Sequence, residues 1–60
     1  MNFLLDEVAA AEVLRLQPKT LCRWRWEGRG PAYVKVGGAI RYRIADIDEY
    51  VARNRVAQNV

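Results

Sequence analysis

The sequence contains no histidine, a single cysteine at position 22, and no apolar run long enough to span a bilayer. One cysteine cannot form a disulfide within the chain, and histidine is both a common zinc ligand and the commonest general acid or base. We therefore expect no metal site, no cofactor, no small-molecule ligand and no enzymatic activity. No secretory signal pattern opens the chain, so the sequence favours a cytoplasmic protein without a membrane partner.

The chain is also short, at 60 residues. A chain of this length buries only about 60% of the surface that its unfolded form exposes, so its core is thin. We expect a single domain over residues 1–60, with an ordered core over about 4–53 and a frayed tail over 54–60. So few residues leave little material for the walls of a catalytic pocket, which favours a binding function.

The net charge of +3 is unevenly distributed along the chain. Residues 1–14 have a net charge of −3, and residues 44–60 have a net charge of −1. Between them lie eight bases and one acid, Glu27; the bases are Arg15, Lys19, Arg23, Arg25, Arg29, Lys35, Arg41 and Arg43. Solubility is served by mixed signs, so this excess of one sign indicates a polyanionic partner.

Capping and stop signals predict two helices in the first half of the chain. Asp6 precedes an alanine-rich segment and can cap a helix over about 7–14. Pro18 suits the first position of a second helix, which ends near Glu27 because the glycine that follows permits a left-handed stop. Only residues 15–17 separate the two helices, which predicts a helix-turn-helix corner.

The next segment alternates apolar and basic positions and predicts a β-hairpin. With a turn over residues 37–39, Val36 faces Ile40 and Val34 faces Tyr42, so that one face is wholly apolar. The alternate positions then form a basic outer face: Lys35, Arg41 and Arg43. Apolar residues at helical spacing predict a third helix over about 45–53, and the fold class is mainly α with a small β-hairpin.

The second helix divides into an inner and an outer face. A helical wheel places Lys19, Arg23 and Trp26 in one outward row, opposite Leu21 and Trp24. The two bases can enter a major groove, where arginine pairs with both acceptors of guanine, or they form a solvated face. Trp26 either stacks on sugar or base surfaces or packs beneath the hairpin. Trp24 is predicted to fill the centre of the core.

Five further residues have predicted roles near these faces. Gln17 and Thr20 lie at the amino end of the second helix, where free backbone amides commonly meet a phosphate. Gly37 and Gly38 either let a backbone approach the hairpin tip closely or serve the turn alone. Arg25 points inward, and we expect its stem to cover the core edge while its head reaches solvent or an acid of another helix.

Taken together, the acid-capped first helix and the segments LQPKTLCRWRWEGRGP, YVKVGGAIRYR and DIDEYV resemble a small winged helix-turn-helix family. This is the family of phage and plasmid excisionases, related to the DNA-binding domains of MerR-type regulators, and the resemblance covers about residues 4–52. It implies a helix-turn-helix, a two-stranded wing and a C-terminal helix. It also implies that the second helix enters the major groove and that the wing contacts the minor groove or its phosphates.

Three positions depart from the pattern of that family. Arg15 stands where the family usually has a turn glycine, and a left-handed conformation there costs roughly 1 kcal/mol. Gln17 replaces the usual serine or threonine cap. Cys22 stands where an aromatic residue is common.

The resemblance implies a recombination directionality factor that binds and bends duplex DNA beside an integrase, with neighbouring copies on tandem sites in the nucleoid of a bacterial host. A transcriptional regulator of a mobile element has the same surface, and an adaptor that binds an acidic protein is a third hypothesis. The predicted DNA-binding residues are Gln17, Lys19, Thr20, Arg23 and Trp26 in the helix, and Lys35, Gly37, Gly38, Arg41 and Arg43 in the wing.

Overall fold

The computed structural model describes residues 3–58 and contains three helices and a small antiparallel sheet. The helices are α1 (Glu7–Leu14), α2 (Pro18–Glu27) and α3 (Ile44–Arg53), and the strands are β1 (Leu4–Leu5), β2 (Val34–Val36) and β3 (Ala39–Arg43). This architecture is that of a small winged helix-turn-helix domain, which confirms the predicted fold class.

The predicted helix bounds agree closely with the structure. Those of α1 and α2 are confirmed, and α3 begins one residue before the predicted position 45. Within the predicted tail, residues 55–58 form neither helix nor strand. Residues 1, 2, 59 and 60, which the predicted domain range included, lie outside the described residues.

The helix-turn-helix corner forms as its local signals predict. The Asp6 carboxylate accepts a hydrogen bond from the backbone N–H of Ala9 at 2.8 Å and caps α1. At the other end, Arg15 adopts the left-handed conformation, with φ 58° and ψ 41°, and its N–H donates to the carbonyl of Glu12 at 3.1 Å. The chain therefore makes the corner without the usual glycine, at a cost of roughly 1 kcal/mol.

The sheet contains a strand that the sequence analysis did not predict. β1 pairs with β3, with Leu4 opposite Arg43 and Leu5 opposite Tyr42, so the strand order is β1-β3-β2. Two residues are too few to show an alternating pattern, and their partner is remote in the chain. The predicted two-stranded wing is therefore one part of a three-stranded sheet, with β3 in the centre.

The predicted register of the hairpin is wrong by one residue. Val36 lies opposite Ala39 and Val34 lies opposite Arg41, so the turn contains Gly37 and Gly38 alone. Gly37 has φ 64°, and a positive φ at the first central residue gives a two-residue turn whose twist matches that of the strands.

This shift changes which side chains share a face of the hairpin, because facing residues of paired strands point to the same side. Lys35 lies opposite Ile40 and therefore shares a face with it. Arg41 shares the other face with Val34 and Val36. The hairpin consequently has neither the wholly apolar face nor the basic outer face that the sequence analysis predicted.

A small group of side chains forms the core between the helices and the sheet. The buried hydrophobic residues are Ala10, Ala11, Leu21, Tyr42 and Ile47. Tyr42 is the largest of them, so the prediction that Trp24 fills the centre is wrong. Trp24 is half-buried at the edge of this cluster, with its ring centroid 5.9 Å from that of Tyr50. Tyr42 of β3 lies in one buried cluster with the two alanines of α1.

Trp24 instead holds the loop that leads from α2 to the hairpin. Gly30 has φ 96°, and a Cβ at this position would lie 2.9 Å from Cε3 of the Trp24 ring. The guanidinium of Arg29 lies 5.3 Å from the centroid of the same ring. Both contacts fix the path of the loop, because only glycine fits against the ring at this conformation.

Arg25 joins the two helices of the corner to the hairpin. Its guanidinium donates hydrogen bonds to the Glu7 carboxylate of α1 and, at 3.3 Å, to the Tyr42 hydroxyl of β3. It also lies 5.8 Å from the centroid of the Tyr33 ring. We call these four side chains the Arg25 network. The predicted pairing of Arg25 with an acid of another helix is confirmed.

The ion pair of the Arg25 network is largely withdrawn from solvent, since the side chains of Arg25 and Glu7 are only 17% and 26% exposed. The hydrogen bonds from Arg25 to Glu7 and to Tyr42 raise the pKa of Arg25 above its ordinary value. The guanidinium therefore remains charged and keeps all three elements in place.

Replacing Arg25 tests whether the Arg25 network stabilises the fold. Arg25→Met is expected to lower the free energy of unfolding by about 1.5–3 kcal/mol, because Glu7 and Tyr42 lose a charged donor. Urea unfolding followed by circular dichroism measures the change. In the double variant Glu7→Gln with Arg25→Met, no unpaired charge remains, and we expect at least half of the loss to be recovered. A double variant as unstable as Arg25→Met would contradict this explanation.

Candidate nucleic-acid interface

The outward face of α2 carries the row of side chains that the helical wheel predicts. Lys19, Arg23 and Trp26 are all exposed, whereas Leu21 on the opposite face is fully buried. Trp26 is 86% exposed. That exposure excludes the interpretation in which Trp26 packs beneath the hairpin, and it leaves a large indole ring facing solvent beside two cations.

The amino end of α2 is free of internal caps. Gln17 is extended, with φ −77° and ψ 141°, and its side chain makes no capping hydrogen bond within the described residues. Thr20 is half-buried, and its N–H donates to the Gln17 carbonyl at 2.9 Å. Among the described residues of this first turn none is acidic, so no carboxylate there neutralises the positive end of the helix dipole. Such an end suits a phosphate.

The three predicted wing cations do not lie together. Lys35 is exposed on the hairpin face that carries Ile40. Arg41, on the opposite face, is half-buried, and its guanidinium donates to the Ile40 carbonyl at 2.7 Å. Arg43 lies at the start of α3, where it pairs with the Asp46 carboxylate at 3.5 Å. The wing thus presents cations on both of its faces.

Glu27, the one acid of the basic block, engages two of its arginines. It lies 3.8 Å from Nε of Arg23 and 2.8 Å from Nε of Arg29. All three side chains are well exposed, and ion pairs of this kind contribute only about 0–1 kcal/mol. A phosphate or a base edge can therefore replace Glu27 on Arg23 at small cost. Within residues 3–58, Lys19 and Lys35 have no carboxylate partner.

The hairpin tip is open to solvent. A Cβ added at Gly37 or Gly38 would meet no atom of the described residues within 4 Å. Gly37 is explained by its positive φ, in agreement with the interpretation that it serves the turn. Gly38 has no positive φ and no close neighbour, so the fold of the described residues gives no reason for a glycine there.

A groove connects the outward face of α2 to the hairpin. It has a volume of about 290 Å³, and the residues that line it are Arg25, Trp26, Tyr33, Lys35 and Ile40. We call it the α2–hairpin groove. Because Trp26 belongs to the outward row of α2, the groove brings that row beside the hairpin face of Lys35. Trp26 and Lys35 therefore line one groove, whereas Lys19 and Arg23 are exposed on the same helical row as Trp26 without lining it, and Arg41 lies on the opposite face of the hairpin from Lys35.

Tyr33 is the residue of this surface that the sequence analysis missed. It is 39% exposed, and its ring centroid lies 6.2 Å from that of Tyr42. The signal for it was its spacing, since Tyr33 is two positions before Lys35 and an extended chain points both to the same side. In the predicted register, the side chains of Tyr33 and Lys35 lie on the opposite face of the hairpin from Tyr42.

The chain matches the family model of the helix-turn-helix domain over residues 4–55, which includes every helix and strand described above. A search of curated proteins finds no match. No helix of the described residues has the length and apolar character needed to cross a membrane. Over the same residues, no three metal-binding side chains come together. The matched length, the corner between α1 and α2 and the hairpin agree, and the chain belongs to the helix-turn-helix domain family, whose DNA-binding domains are found in excisionase-like proteins.

Proposed function

We propose that the protein is an excisionase, an architectural protein that binds and bends duplex DNA so that an integrase can excise a phage or mobile element. The observation that carries the proposal is the groove in which Trp26, from the exposed row of α2 that also holds Lys19 and Arg23, lies beside Lys35 of the hairpin. A helix and a ribbon on one side of a small domain match the two grooves of a duplex. The basic excess of residues 15–43 supplies the attraction to phosphate.

In this proposal α2 reads the major groove. Arg23 pairs with the two acceptors of a guanine, and Lys19 contacts a neighbouring base or phosphate. Gln17 and Thr20 hold a phosphate at the amino end of the helix. The loose pairing of Arg23 with Glu27 supports this role, because the guanidinium is held ready and is easily released.

The hairpin contacts the minor groove and its phosphates. Its cations lie on both faces, so each face meets one of the two strands that border the groove: Lys35 on one side, Arg41 and Arg43 on the other. The open tip at Gly37 and Gly38 allows the backbone to approach closely. A minor groove is about 6 Å wide, which is less than the roughly 10 Å that a sheet with side chains on both faces occupies. Entry of the hairpin therefore requires the groove to widen, and this supports bending.

The size of the domain accounts for the proposed partners. A single module of this kind buries about 600–1,000 Å² on DNA, which is too little for high specificity at one site. Tandem sites with contacts between neighbouring copies raise the effective affinity. The integrase would then recognise the bent assembly, within the nucleoid of the host cell.

Affinity for mixed-sequence duplex DNA is expected to fall steeply with salt. The four proposed phosphate-facing cations are Lys19, Lys35, Arg41 and Arg43. If they neutralise about four phosphates, the slope of log affinity against log salt is about −3.5 to −4. Fluorescence anisotropy of a labelled duplex measures this slope. The salt concentration is varied from roughly 50 to 200 mM, the range over which phosphate contacts respond strongly. Absence of duplex binding at the lowest salt would instead favour an adaptor for an acidic protein.

Two arginine variants are expected to behave differently across a panel of target sequences. Arg23→Ala removes a base contact and should cost about 1–3 kcal/mol of binding and relax preference at one base pair. Arg41→Ala removes a phosphate contact, and it should weaken all sequences alike and make the salt slope shallower by about one. The DNA that flanks the gene of the protein provides the starting site for footprinting. Identical behaviour of the two variants would refute the division into a reading helix and an anchoring wing.

Bending separates the excisionase from a transcriptional regulator with the same surface. DNA fragments that carry the site at different distances from their ends should migrate differently when the protein is bound, because a bend near the centre shortens the end-to-end distance most. Equal mobility for all positions would show straight DNA and would favour the regulator.

A further inference from the structure

We infer that the α2–hairpin groove holds one deoxyribose–phosphate unit of the DNA backbone, with Trp26 and Tyr33 against the sugar and Lys35 on the phosphate. The inference rests on the proposed function, since it needs α2 in the major groove and the hairpin in the minor groove. It assigns a ligand to the α2–hairpin groove and a role to Tyr33. The proposed contacts with bases and with wing phosphates include neither of them.

The geometry of a DNA duplex places a backbone strand between α2 and the hairpin. The major and minor grooves are separated by a sugar–phosphate strand, so a protein with one element in each groove must let that strand pass between the elements. In this protein the space between α2 and the hairpin is the α2–hairpin groove. Its volume of about 290 Å³ equals that of about ten water molecules in the liquid. That is room for a sugar and its phosphate, and it lies at the lower limit of pockets that enclose whole small molecules.

The walls of the groove suit the sugar. Trp26 is the most exposed of the large hydrophobic side chains among the described residues, and such rings are typical of binding surfaces. Tyr33 contacts the ring of Tyr42, with 6.2 Å between the two centroids, and the Arg25 guanidinium lies 5.8 Å from the Tyr33 ring centroid. Tyr33 is therefore braced by two partly or fully buried side chains, whereas Trp26 faces solvent, and Ile40 also lines the groove. A deoxyribose has the apolar faces that pack against such rings.

The charges of the groove suit the phosphate. Of its two cations, Arg25 is already engaged by Glu7 and Tyr42. Lys35 is exposed and has no carboxylate partner within residues 3–58. None of the described residues that line the groove is acidic. Lys35 is therefore the cation that can bind a phosphate here without breaking an internal contact.

A contact with the backbone differs from a contact with a base in two measurable ways. A backbone contact contributes equally for every base sequence. Its ionic part weakens with added salt, whereas its apolar part does not. Trp26→Ala is expected to weaken binding to every duplex about tenfold with an unchanged salt slope, because the indole carries no charge. Lys35→Met is expected to weaken binding and make the slope shallower by about one, since one phosphate contact is lost.

The experiment measures anisotropy for wild type, Trp26→Ala and Lys35→Met on three 20-base-pair duplexes of unrelated sequence. Val51→Ala is the matched control, because Val51 is an exposed apolar residue of α3, and it should leave affinity unchanged. Lys35→Arg should retain the slope. Thermal unfolding of each variant establishes that it is folded, and Trp26 and Lys35 are exposed enough for little change in stability.

The outcomes distinguish this inference from the proposed function. If wild type binds duplex DNA and Trp26→Ala binds all three duplexes as tightly, the groove is empty in the complex and the inference is overturned. If Trp26→Ala weakens one duplex much more than the others, Trp26 contacts a base, which also overturns it. If wild type binds none of the duplexes, the proposed function itself is refuted and the inference falls with it.

Discussion

The contact of Arg25 with Glu7 and Tyr42 is the interaction on which the arrangement of the molecule depends. The core is small, and two of its members are alanines of α1, so apolar packing alone constrains the hairpin weakly. A charged and directional contact joins α1, α2 and β3 where apolar packing constrains them weakly. Arg25 also lines the α2–hairpin groove, so the same contact supports the groove. Within residues 3–58, Lys35 of this groove has no carboxylate partner.

The parts of the fold that could be predicted from the sequence are those that local chemistry decides. A carboxylate cap at Asp6, a proline at the first position of α2 and a glycine after its last residue each act within one helical turn. The bounds of α1 and α2 were predicted correctly for that reason. The outward row of α2 was predictable as well, since the helical repeat alone determines it.

The remaining features depend on contacts between distant segments. Two adjacent glycines permit a turn of two or of three residues, and the choice moves Lys35 to the face that carries Ile40. Likewise, the sequence predicts Trp24 at the centre of the core, whereas the structure buries Tyr42 there, in one cluster with the alanines of α1. The α2–hairpin groove depends on the register of the hairpin and on the packing of the core, so no local sequence pattern indicates it.

The open tip of the hairpin has a consequence for how this scaffold can vary. Since no atom of residues 3–58 lies within 4 Å of a Cβ placed at Gly37 or Gly38, the core of these residues does not constrain the length of the hairpin. Adding residues in matched pairs would extend both strands while every existing cross-strand partner kept its place. The length of the hairpin can therefore change in evolution without any change in the residues of α2.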